Sequence, residues 1–60
     1  MKTVKASLVT VGSEVVGRDG ALYTVTSIRA NGGVTEFVCK TLMQSGIRIS
    51  VRTGSHVWVA

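Results

Sequence analysis

The chain has few of the residues that interrupt strands, cross-link a fold or bind metals. It has no proline in its 60 residues, so no position breaks the hydrogen bonding of a β-ladder. Cys39 is the only cysteine, which excludes an intramolecular disulfide. Cys39 and His56 are too few soft ligands for a zinc site. We therefore expect no cofactor and no metal, and a fold stabilised by the burial of apolar side chains.

Acidic residues and long apolar runs are also scarce. Three acidic residues against seven basic ones give a net charge of +4. So few carboxylates argue against paired-carboxylate catalysis, and we do not expect an enzyme. The basic balance favours a polyanionic partner, although such charge also keeps an apolar protein soluble. No run is long enough for a signal peptide or a membrane span, and we expect a cytoplasmic protein with no membrane partner.

Turn signals divide the chain into strand-like runs. A glycine follows each of Asp19, Asn31, Ser45 and Thr53, where a tight reversal favours positive φ. The runs between these turns are rich in valine, isoleucine and threonine and lack the apolar spacing of a helix. The pattern predicts an all-β fold, a small five-stranded antiparallel barrel with no α-helix beyond a single turn.

The barrel is predicted to occupy residues 8–60, after a basic lead-in at residues 1–7. Alternation assigns the faces of its strands: Phe37 and Cys39 face inward on the third strand. Arg48 and Arg52 face outward on the fourth. A break in phase predicts a β-bulge near Thr26. The predicted strands are 12–17, 22–29, 33–43, 47–52 and 56–59.

Several of these signals are similar to those of small SH3-like barrels, including short bacterial and bacteriophage proteins of that class. They are Val-Gly-Ser-Glu-Val at 11–15, Asp19-Gly20, Tyr23-Thr24-Val25, Gly32-Gly33 and His56-Val57-Trp58-Val59. The resemblance covers residues 8–60 and implies a fold that binds through its loops or an open barrel face. It implies no particular activity, because that fold hosts many.

The sharpest candidate site combines Arg48, Arg52, His56 and Trp58, all predicted to point outward. An exposed indole near guanidinium groups suits stacking on a base and contact with a phosphate. Alternatively, Trp58 packs in a subunit interface with the arginines at its rim.

Two further arginines, Arg18 and Arg29, lie beside predicted turns. Their charges suit phosphate contacts, or they are ordinary solvated loop charges. Cys39 and His56 fall on opposite faces, which argues against a nucleophile–base pair and favours a buried structural thiol.

Three functions remain open. The first is a non-enzymatic binding protein whose basic barrel face contacts nucleic acid. The second is a homo-oligomeric module that binds or inhibits a host or phage protein, since hydrophobic residues form 45% of a very small chain. The third is sequestration of a small anionic nucleotide between subunits.

Overall fold

The computed structural model describes residues 2–60, which form one antiparallel sheet of six strands. The strands are β1 (Lys2–Lys5), β2 (Glu14–Val16), β3 (Leu22–Asn31), β4 (Val34–Lys40), β5 (Ile47–Arg52) and β6 (His56–Val59). Within these residues the only helical element is one 3₁₀ turn, Ala6–Leu8, and no helix is long and apolar enough to cross a membrane. The all-β prediction is confirmed. The predicted number of five strands is wrong.

The additional strand is β1, in the segment predicted to be a lead-in. It pairs with β6 in register from Lys2–Val59 to Lys5–His56. The strand order is therefore β1-β6-β2-β3-β4-β5, and the sheet is not closed because β1 and β5 are its two ends. The sequence of β1 gives a weak signal, since Val4 is its only apolar residue and its partner strand lies at the other end of the chain.

The tightest reversal joins β3 to β4. Asn31 pairs with Val34, and Gly32 and Gly33 between them have φ of 59° and 85°. This is a two-residue hairpin loop with positive φ at both positions, as predicted. The predicted turn at Thr53-Gly54 is present, but Gly54 does not have the expected positive φ. There the Ser55 amide donates to the Arg52 carbonyl at 2.9 Å, a turn that needs no left-handed residue.

The core lies on the inner face of the sheet. Phe37, Cys39 and Thr35 of β4 are fully buried, which confirms the predicted inward face. The Thr35 and Thr53 hydroxyls share a hydrogen bond of 3.1 Å, so the buried polar group is satisfied. Every strand adds an apolar side chain to this cluster, for example Val4, Val15, Val25, Phe37, Ile49 and Val57. A single sheet can bring these residues together only if it curls around them.

The predicted β-bulge is present in β3. The pairing with β4 shifts between Val25 and Ser27, which leaves Thr26 without a partner residue in the ladder. The Thr26 hydroxyl donates to the Val38 carbonyl at 2.9 Å. The extra residue restores the phase, because Val25 and Ile28 both pack against the core although they are three positions apart.

Candidate functional site

Four cations share the outer face of β3, β4 and β5, because residues paired across a ladder point to the same side. Arg29 pairs with Glu36. In the ladder between β4 and β5, Arg48 pairs with Val38 and Arg52 pairs with Val34. Lys40 is two residues after Val38 in β4 and therefore lies on the same face. We call this surface the basic face, and its cations are Arg29, Lys40, Arg48 and Arg52, all exposed.

The charges of the basic face are spread along the strands. Arg48 and Arg52 are separated by about 13 Å at the usual rise per residue of a strand. Glu36, half-buried beside Arg29, is the only acidic residue on these three strands. A shallow depression of about 400 Å³ lies above it, lined by Arg29, Arg48 and Ser50 among others. One carboxylate among four cations leaves the face positively charged.

A groove of about 530 Å³ opens between β5 and β6. Its floor includes the half-buried side chains of Ile47, Ile49 and Val51, which are the inward residues of β5. β5 is an end strand of the sheet, so its outer edge has no β-partner within residues 2–60. An apolar floor beside an unpaired strand edge makes this groove a candidate binding site. Its polar lining residues include Arg18, Arg48 and His56.

The loop between β2 and β3 forms one end of the groove and is internally hydrogen-bonded. The Asp19 carboxylate accepts from the Ala21 amide at 3.0 Å and from the Tyr23 hydroxyl at 2.9 Å. Both bonds lower the pKa of Asp19, and the bond from the Ala21 amide has the larger effect. The hydrogen bond to Asp19 raises the pKa of Tyr23. A Cβ at Gly17 would overlap the Tyr23 ring, so a larger residue here would force the ring to move.

The structure brings together only part of the predicted site. Arg48, His56 and Trp58 line the groove, and Arg18 joins them. Trp58 is 54% exposed, so its predicted outward orientation is confirmed. Arg52 does not line the groove with Trp58; it lies on the basic face, as does Arg29. The predicted arginine–tryptophan constellation is therefore divided between two surfaces that share Arg48.

A second outer surface is apolar. Val15 pairs with Val59, so the next residues in each direction, Val16 and Trp58, neighbour each other on the outer side. Val16 in turn pairs with Leu22, which is 46% exposed. We call Trp58, Val16 and Leu22 the apolar row. Sequence reasoning missed this row, because it depends on the pairing of β2 with β6, two strands far apart in the sequence.

The contacts of Asp19 with Tyr23 were also missed from the sequence. The signal that could have found them is the close spacing of an acid, a glycine and a tyrosine across one tight turn.

Cys39 and His56 do not form a reactive pair. Cys39 is fully buried on β4, and burial raises the pKa of its thiol. His56 is exposed on β6, which is separated from β4 by β2 and β3 in the sheet. Within residues 2–60, no group of three or more histidine, cysteine, aspartate or glutamate side chains could hold a metal ion.

Comparisons of the chain with protein families, with curated proteins and with solved structures find no match.

Proposed function

We propose that this is a non-enzymatic protein that binds nucleic acid through the basic face. The observation that supports it most directly is the placement of four exposed cations on three adjacent strands with one acidic residue among them. Phosphate groups along a nucleic-acid backbone are the polyanion that such a spread of charge fits. The fold we propose for this role is an open SH3-like barrel, supported by the curled sheet and by the turn signals at residues 11–25.

The polar residues between the cations suit this role. Ser27, Asn31 and Ser50 are exposed on the same face and supply neutral hydrogen-bond donors beside the charged groups. The strands themselves are held by the core beneath them, so the cations project from a defined surface rather than from a loose tail. Arginine suits phosphate in particular, because its planar guanidinium donates two parallel hydrogen bonds.

The test is fluorescence anisotropy with labelled single- and double-stranded DNA and RNA, measured over a range of salt concentrations. If all four cations contact phosphates of duplex DNA, the logarithm of the binding constant should fall with the logarithm of salt concentration with a slope of about −3.6. Arg52→Ala should reduce the size of this slope by about 1. Lys5→Ala removes the same charge from β1, away from the basic face, and is the matched control. Absence of binding at low salt would refute the proposal.

A second candidate function is self-association, or docking of another protein, through the apolar row. The exposure of Trp58 and Leu22 on either side of Val16 in one row favours it. Aromatic side chains are common anchors of protein interfaces, where they exclude water at the centre of the contact. Light scattering of the purified protein tests self-association, and a monomer at all accessible concentrations would exclude it.

A further inference from the structure

The turn between β4 and β5 exposes two large apolar side chains at its tip. Leu42 is 106% and Met43 is 90% exposed, the highest values among the large hydrophobic residues of the described chain. The turn is ordered by Thr41, whose hydroxyl accepts from the Met43 amide at 3.2 Å and from the Gln44 amide at 3.1 Å. The Thr41 amide also donates to the Gln44 carbonyl at 2.7 Å. These bonds hold the backbone so that both side chains project into solvent.

This apolar tip is continuous with the basic face. Lys40 ends β4 immediately before the tip, and Arg48 is the second residue of β5 after it. These are the two cations of the basic face nearest to Leu42 and Met43. Arg29 and Arg52 lie toward the other end of the same strands, beside the Gly32-Gly33 turn. One surface therefore carries an apolar projection at one end and a track of positive charge leading away from it.

We propose that the ligand of the basic face is double-stranded DNA and that Leu42 and Met43 insert between neighbouring base pairs from the minor groove. This inference rests on the proposed function. Apolar side chains that enter the minor groove partly unstack a base step and kink the duplex by about 20–90°. Lys40 and Arg48, on the two strands that carry the tip, are placed to contact the phosphates that border the groove. Arg29 and Arg52 then follow the backbone away from the kink.

The length of the charged track favours a duplex over a lipid surface. A membrane that received the tip would lie across the end of the hairpin and would meet Lys40 and Arg48. Arg52 is about 13 Å farther along β5 than Arg48. That separation exceeds the screening length of about 8 Å at physiological salt, so Arg52 and Arg29 would contribute little to membrane binding. A duplex that is kinked where it receives the tip can bend back along the strands and meet all four cations, which a flat membrane cannot do.

The experiment measures bending and affinity separately. A DNA duplex of about 20 base pairs, a length that covers one bend, carries a fluorophore at each end and a central TA step. The wild-type protein should raise energy transfer between the ends. The double variant Leu42→Ala/Met43→Ala should bind the duplex within about tenfold of wild type but leave energy transfer near the value of free DNA.

Two controls separate insertion from a general loss of apolar surface. The double variant Leu8→Ala/Val11→Ala removes two side chains that are 67% and 62% exposed but lie outside the basic face, and it should bend DNA like wild type. Met43→Leu keeps an apolar side chain at the tip and should retain bending. Because the tip residues are exposed, thermal melts of all these variants should match wild type.

The results distinguish a failure of the proposed function from a failure of the proposed insertion. Failure to bind any duplex or single strand at low salt would refute the proposed function itself. Binding without a rise in energy transfer, or with a rise that the tip variant preserves, would overturn the insertion and leave the phosphate contacts standing. Tip-dependent binding to phosphatidylserine vesicles without bending of DNA would show that the tip inserts into lipid, which also overturns the inference.

Discussion

The basic face and the apolar row lie on the same side of the same sheet, yet their chemistry is opposite. The basic face occupies β3, β4 and β5 and carries Arg29, Lys40, Arg48 and Arg52. The apolar row crosses from β6 to the start of β3 and consists of Trp58, Val16 and Leu22. Outer positions of a sheet carry no packing requirement from the core, so their residues differ for another reason. The two functions proposed above would account for the difference, since each surface would then make its own contact.

Burial explains why the inner face shows no such division. Beneath both surfaces lies one cluster of small and branched side chains around Phe37. A 60-residue chain has little stability to lose, about 3–9 kcal/mol at the usual stability per residue. The inner residues are therefore fixed by the fold, whereas a substitution on either outer surface should change one contact and leave the other intact.

The largest effect is expected from a substitution in the hydrophobic core, which lies beneath both surfaces. Phe37 is fully buried, and Phe37→Ala should lower the free energy of unfolding by about 3–5 kcal/mol. That is between about one third and all of the 3–9 kcal/mol expected of so small a domain, so both surfaces should be weakened or lost together. Circular dichroism melts and DNA-binding isotherms on the same sample check this. A cooperative melt near that of wild type would mean that Phe37 is not the centre of the core.

The next largest effect separates the two surfaces. Trp58→Ala should weaken self-association by about 2 kcal/mol, roughly thirtyfold in affinity, if the indole anchors an interface. Binding of DNA to the basic face should stay unchanged, because Trp58 lies on β6 and not on β3, β4 or β5. Sedimentation and anisotropy measured on the same variant check the two parts. Loss of DNA binding with unchanged association would show that the indole stacks on a base instead.

The division between the two surfaces could be predicted from the sequence only in part. Alternation in β5 placed Arg48 and Arg52 outward and Ile49 inward, because strictly alternating apolar and polar residues in a strand put the apolar ones on the core side. The same rule placed Trp58 outward. Alternation gives the side of each residue but not its neighbours across the sheet. For that reason Arg52 and Trp58 were expected on one surface and lie on two.

The features missed from the sequence depend on contacts between distant parts of the chain. β1 is held by pairing with β6, and its own residues Lys2 to Lys5 carry almost no apolar signal. The groove exists because the curled sheet brings β5 opposite β6 without pairing the two strands, and no local pattern records how far a sheet curls. By contrast, the Gly32-Gly33 hairpin and the bulge at Thr26 are local, and both were predicted.

A smaller effect sharpens the description of the basic face. Glu36→Gln removes its one carboxylate and should raise affinity for DNA by about 0.2–1 kcal/mol, up to about fivefold, because the effect of a surface charge is screened by solvent. Glu14→Gln makes the same change of charge on β2, two strands away from β4, and should raise affinity less. Anisotropy at low salt compares the two variants. Equal gains would indicate attraction to overall charge rather than to this face.

The smallest effect concerns the loop at the end of the groove. Folding lowers the pKa of Asp19 below its ordinary value of 3.8. The carboxylate therefore stabilises the folded state fully above about pH 3.8, and this stabilisation is lost as the pH falls through the pKa of the folded state. Folding raises the pKa of Tyr23 above 10.0, so its contribution is present below that pH and is lost as the pH rises through the folded value. Denaturant unfolding of the wild-type protein should therefore show a small decrease in the free energy of unfolding at acidic pH and another at alkaline pH. Asp19→Asn should reduce both, since it removes the carboxylate that accepts from the Tyr23 hydroxyl. The basic face does not include this loop, so the DNA affinity of Asp19→Asn at neutral pH should change only by the small effect of losing one negative charge. A larger change would show that the groove takes part in binding.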